Sequence, residues 1–148
     1  MGTFFEEDLS QEELGQSMEL WATHNTPGES TMGIRKGLGR MLFTDEDWEK
    51  KLSILSGGEL TRLKFAVLMM NKPNVLILDE PTNHLDLESR IALSHALRKY
   101  EGTVLFVSHD QDFVSALASR VLFLDKESHE AVDFSVEEAF EHIKGVSA

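Results

Sequence analysis

Val75-Leu76-Ile77-Leu78-Asp79-Glu80-Pro81-Thr82-Asn83-His84-Leu85-Asp86 is the stretch whose reading decides the fold. Four consecutive aliphatic residues, bounded by Pro73-Asn74 before and Pro81 after, predict a short strand buried on both faces. Two carboxylates, Asp79 and Glu80, stand at its C-terminal end, where open α/β sheets place their ligand crevice. Successive side chains on a strand point to opposite sides, so the two acids cannot share one task. One can hold a metal through water while the other orients an attacking water. The plain alternative is a buried strand whose acidic end faces solvent.

Upstream, Leu55-Ser56-Gly57-Gly58-Glu59 leads into Leu60–Met70, a helical segment with apolar residues at 60, 63, 67 and 70 along one stripe. Ser56 and Glu59 form a capping box, which taken alone is an ordinary helix start. The glycines between them add something, because they let a phosphate approach backbone N–H groups at the positive end of a helix. Downstream, a helix is expected over about 87–99, with Leu87, Ile91 and Leu97 facing a core, and Gly102 closing it. Thr103–Ser108 then reads as a second buried strand, followed by His109-Asp110. Strand, helix, strand implies a parallel crossover, which brings His109 out at the same sheet edge as Glu80. For a histidine in isolation, a solvated loop residue is the simpler reading.

The Leu-Ser-Gly-Gly-Glu string and the uninterrupted Asp-Glu-Pro-Thr-Asn-His-Leu-Asp, in that order, resemble the signature and Walker B motifs of the ABC-F branch of ATP-binding cassette ATPases. The resemblance runs from Phe4 to about Ile143 and is strongest to the back part of a nucleotide-binding domain. It implies an α/β fold: a partial P-loop NTPase (ABC ATPase) domain, with a helical subdomain at about 10–70 followed by a parallel strand–helix layer at about 71–148. It implies ATP and Mg²⁺ as ligands. Carried over residue by residue, Ser56, Gly57, Gly58 and Glu59 would form the signature that grips the γ-phosphate of an ATP held by a partner domain. Asp79 would bind Mg²⁺ through water, Glu80 would polarise the attacking water, and His109 would steady the γ-phosphate as the switch histidine. Asp86 would lie in the loop linking two sites.

Two departures from the family pattern stand out. Phe4-Phe5-Glu6 resembles the Q-loop, but Glu6 occupies the place of Gln; it can ligate Mg²⁺, at the cost of extra negative charge near phosphate. The sequence holds no Gly-x-x-x-x-Gly-Lys-Ser/Thr, and Gly33–Arg40, with no strand before it, reads as a helix connection. Turnover therefore needs a phosphate loop from elsewhere, so the expected partner is a second ABC nucleotide-binding domain or an N-terminal half. The alternative is a non-catalytic module that offers its signature to an intact ABC-F partner.

Composition sets the outer bounds. The 148 residues suit one compact domain, and the absence of cysteine excludes disulfides and thiolate metal sites. No apolar run approaches the roughly 18–20 residues of a membrane span, and the first residues lack a signal-peptide pattern, so a cytoplasmic location is expected. Net charge is -12. Residues 1–30 hold seven acids and no Lys or Arg, whereas residues 31–64 hold seven basic and five acidic residues. Bulk charge gives no nucleic-acid signal, and any ribosome contact implied by the family would fall to the middle segment.

The remaining expectations are local. Ser10 and Glu13 cap a helix running to about Thr23 with Leu14, Met18 and Trp21 on one face. A second helical stretch spans about 31–43, and Thr44-Asp45-Glu46-Asp47-Trp48 reads as another helix start, with Thr44 capping and the acids filling the first turn. A helix over about 113–119, strands at 120–125 and 131–134, and a final helix capped by Ser135 and Glu138 complete the order. A strand layer apolar on both faces predicts exposed apolar surface and a marginal sheet beside a better-ordered helical part.

Overall fold

The computed structural model describes residues 2–4, 9–124 and 131–146. They fall into two compact units, Met1–Ser108 and His109–Ala148. In the first, strand β1 (Gly2–Phe4) is followed by helices α1 (Gln11–Leu14), α2 (Met18–Asn25) and α3 (Thr31–Arg40), a 3-10 turn (Leu52–Ile54) and α4 (Gly57–Met70). Strand β2 (Val75–Asp79), helix α5 (Leu87–Arg98) and strand β3 (Thr103–Val107) complete it.

The sheet has order β1-β2-β3 and is parallel throughout. The crossover expected between the two apolar strands is therefore present, with Ile77 opposite Leu105 and Asp79 opposite Val107. Leu76 and Leu78 are fully buried on one face. The other face is not closed: Leu105 is 50% and Val107 60% exposed. The second strand is thus half-buried rather than buried, and the exposed apolar surface expected of this layer is present.

The helical part packs around Met18, Trp21, Ile34, Leu38, Met41, Phe43, Leu52, Leu63 and Phe65, all buried. Its boundaries correct three expectations. The helix expected from Ser10 to Thr23 is broken: Gly15 caps α1, and Ser17 starts α2 by accepting the Leu20 N–H at 3.3 Å. A second serine at the right offset outcompeted a continuous apolar stripe. Helix α3 stops at Arg40 because Leu42 takes a left-handed backbone, φ 65°. Residues 44–47 form a turn, not a helix start; Asp47 Oδ2 accepts from the Thr44 N–H at 2.7 Å and hydroxyl at 2.9 Å.

Helix α5 presents a different face from the one expected. Leu87 and Ile91 are 71% and 59% exposed, while Ala92, Leu93 and Leu97 are buried. Spacing found the helix but mis-phased it, because the stripe 89, 92, 93, 97 includes Ser89, a polar residue that serves the cap and is buried.

In the second unit, α6 (Gln111–Leu117) precedes an antiparallel pair, β4 (Val121–Leu124) and β5 (Ala131–Phe134), and then α7 (Val136–Val146). Arg120 pairs with Asp133. Ser135 and Glu138 cap α7 reciprocally as expected, at 2.9 and 3.3 Å. Among the described residues no helix is long and apolar enough to cross a membrane.

Candidate functional site

The signature segment is built on the start of α4. Ser56 is extended, and its Oγ accepts the Glu59 N–H at 3.3 Å while Glu59 Oε2 accepts the Ser56 N–H at 2.7 Å. The Ser56 backbone N–H, with its hydroxyl adding, holds the Glu59 carboxyl below the usual carboxylate range. Ser56 and Gly57 are exposed, and a Cβ on Gly57 would meet nothing within 4 Å. The positive end of a 14-residue helix thus opens to solvent with free space over its first turn.

Gly58 differs from its neighbour. A Cβ there would stand 3.3 Å from the backbone oxygen of His84. Its lack of a side chain lets the helix end approach the turn that follows β2, which ties the two motifs together.

That turn begins at the paired acids. Asp79 is the last residue of β2 and is exposed. Glu80 is half-buried and sits at φ 42°, a left-handed backbone that costs an L-residue about 1–3 kcal/mol. The Glu80 N–H donates to the Val107 oxygen at 2.9 Å, which fixes this residue to the end of the neighbouring strand. The chain then closes through Asn83 N–H to Glu80 O at 3.0 Å and Leu85 N–H to Thr82 O at 3.3 Å. Pro81, Thr82 and Leu85 are buried, and His84 is left-handed at φ 63°. Strain at Glu80 and His84 is held by the buried residues between and after them.

Asp86 ends the turn as the cap of α5, its Oδ1 accepting the Ser89 N–H at 2.8 Å. The Ser89 hydroxyl and N–H hold its carboxyl below the usual range, with Arg62 and Arg90 adding. Sequence reasoning put Asp86 in a linking loop and missed this cap, although its donor and acceptor lie three residues apart.

Within the first unit the structure therefore gathers Ser56–Glu59, Asp79, Glu80 and Asp86 around one turn. His109 lies in the second unit, exposed, one residue before Asp110, whose Oδ1 accepts the Phe113 N–H at 3.0 Å as the cap of α6. Glu6 lies outside the described residues. Sequence reasoning missed His84 and Arg62: only the left-handed φ of the first, and the contacts of the second across 21 positions, reveal them.

Among the described residues no three or more His, Cys, Asp or Glu are grouped to hold a metal. A hard cation at the end of β2 would have the exposed Asp79 carboxylate there, and would take its other oxygens from a bound nucleotide and water, the usual manner of Mg²⁺. The donor set fits that ion.

The family model described as ABC transporter matches residues 3–83. A probable ATP-binding protein, YbiT, from Escherichia coli O157:H7 is 48% identical over 131 residues, covering 88% of this chain and 23% of that protein. The putative ATP-binding protein YdiF of Bacillus subtilis (strain 168) is 50% identical over 79% of this chain and 18% of its own length. Protein GCN20 of Saccharomyces cerevisiae is 35% identical over 82% of this chain and 16% of its own length. The chain thus spans about a quarter or less of these relatives. Among solved structures, an archaeal ribosome recycling factor, aABCE1, crystallised with the ribosomal stalk protein aP1, superposes with TM-score 0.67 at 21% identity, over 98% of this chain and 30% of that one. At that identity the likeness shows the fold.

Proposed function

This chain belongs to the ATP-binding cassette family, in its F branch, and from that premise we propose that it contributes the signature and Walker B portions of a composite ATPase site. Membership makes it nucleotide-binding by type; which of its residues act, and on what, is our reading. ATP is the substrate, hydrolysed at the γ-phosphate.

Glu80 is the group that orients and polarises the attacking water. The observation that carries this is its fixed strained backbone, anchored to Val107 and placed one residue beyond the exposed Asp79. Asp79 holds Mg²⁺ through water; that ion, when bound, neutralises charge developing on the phosphate oxygens. Ser56, Gly57 and Gly58 offer a hydroxyl and helix-end N–H groups to the γ-phosphate of a nucleotide held by a partner domain, and Glu59 keeps Ser56 in its capping geometry. His109 steadies the γ-phosphate, and Glu6 assists Asp79.

Residues 1–148 contain no Lys-bearing phosphate loop, so turnover requires one supplied by a further segment or by a second nucleotide-binding domain. Ribosome association is part of the proposal at the level of the family only. The exposed signature end favours a second reading, a module that engages an ATP-loaded ABC-F partner without catalysing turnover itself.

The test is single-turnover hydrolysis of Mg-ATP on adding a separate half that carries the phosphate loop. Glu80→Gln is expected to slow it by about 10²–10⁴. ATP-dependent binding with no hydrolysis in the native chain selects the second reading. No binding at millimolar Mg-ATP, with or without the added half, rejects both.

A further inference from the structure

One cation on α4 ties the signature helix to a turn that no motif marks. Arg62 Nη1 donates to the Met41 oxygen at 2.8 Å, and its guanidinium lies 4.9 Å from the centroid of the Phe43 ring. Met41 and Phe43 are buried and flank Leu42, the left-handed residue that ends α3. Arg62 Nε is buried and has no partner among the described residues. A guanidinium held this way is committed to the turn before the signature, not to solvent. Its charge also lies near enough to Glu59 in the signature and Asp86 at the cap of α5 to lower the pKa of each, a lesser contribution beside their serine partners. Gly58 already abuts the His84 oxygen. Two turns far apart in sequence, 41–43 through Arg62 and 84–86 through Gly58, therefore meet on the first two turns of α4.

We propose that Arg62 is a positioning residue that locks the signature end of α4 in register with the turns at 41–43 and 84–86, so that Ser56–Gly58 and the paired acids move as one body. It touches no nucleotide and acts through the backbone it holds. The inference rests on the composite-site reading only for what that rigid body does.

Neither conservative replacement reproduces both of its roles. Methionine keeps the packing volume and loses donor and charge. Lysine keeps a positive charge in the neighbourhood of Glu59 and Asp86 but has no planar fork to stack on Phe43.

The experiment follows amide exchange in the full chain as wild type, Arg62→Met and Arg62→Lys. The indicators are Phe43, whose N–H bonds Leu38 O at 3.3 Å, and Ser89, whose N–H bonds Asp86 Oδ1 at 2.8 Å. In Arg62→Met both amides exchange about tenfold faster, with Phe65–Val67 unchanged. Arg62→Lys restores Ser89 to within about twofold and leaves Phe43 fast. Faster exchange at Phe43 alone, or an equal rise at Phe65–Val67 in both variants, overturns the coupling.

A second arm measures Kd for an intact ABC-F domain that holds ATP and carries Gln in place of its own catalytic Glu. Arg62→Met is expected to weaken binding about tenfold although Ser56–Gly58 are untouched. Wild-type affinity in Arg62→Met overturns the positioning role. Failure of the wild type itself to bind rejects the composite-site reading, and the exchange result still decides the coupling.

Discussion

The helical part and the sheet of the first unit are both built from strongly apolar segments and end in different states. Helix α4 buries Leu63, Phe65, Ala66 and Val67, and α2 and α3 close over it with Met18, Trp21, Ile34 and Leu38. The sheet buries Leu76 and Leu78 on one face and leaves Leu105 and Val107 open on the other. A helix needs one covered stripe, whereas a strand apolar at every position needs two covered faces. Apolar sequence therefore makes a finished core in one place and half of one in the other.

The largest test of that contrast is a cavity. Phe65→Ala is expected to destabilise the chain by about 3–5 kcal/mol in urea unfolding. A cost under about 1 kcal/mol would mean that the helical core is not what holds the unit together. Hydrogen exchange sharpens the contrast next. Amides of Phe65–Val67 are expected to exchange about a hundredfold more slowly than those of Ile77 and Leu105, and slowest exchange in the strands would reverse the comparison. Ser56→Ala removes a cap from the helix that both regions share and should cost about 1 kcal/mol, read from the urea midpoint.

Acid probes the helical part through Asp47. Asp47 is held at about 2, against an ordinary 3.8, first by Lys50 at 2.6 Å and then by the Thr44 N–H. Its folded pKa is depressed, so its stabilisation is complete above about pH 4 and lost as pH falls toward 2. Asp47→Asn should flatten the fall of the urea midpoint across that window, and an unchanged slope would remove Asp47 as its cause. The smallest effect belongs to the open face, where Leu105→Ser should shift stability by less than about 0.5 kcal/mol. A larger loss would show that this face is packed in solution.

Legibility followed the range of the interaction. Capping boxes at Ser10, Ser56 and Ser135 were readable because donor and acceptor lie three residues apart, and all three formed. The parallel pairing of the two aliphatic strands was readable from their order and the helix between them. The break at Gly15–Ser17 was not, although Ser17 and Leu20 are also three apart, because an apolar stripe ran across the cap; the exposed side of α5 was set by which residues the rest of the unit covers.

The sequence by itself determined the elements, their order and the two motifs that place this chain among ABC-F proteins, since those depend on local pattern and on residue type at fixed spacing. Only the tertiary structure decided that Glu80 is left-handed and pinned to Val107, that Gly58 gives way to His84, and that Arg62 reaches back 21 positions to Met41. Those contacts join segments distant in the chain, and no periodicity encodes them; they exist because a short helix end and a tight turn must share one crowded volume.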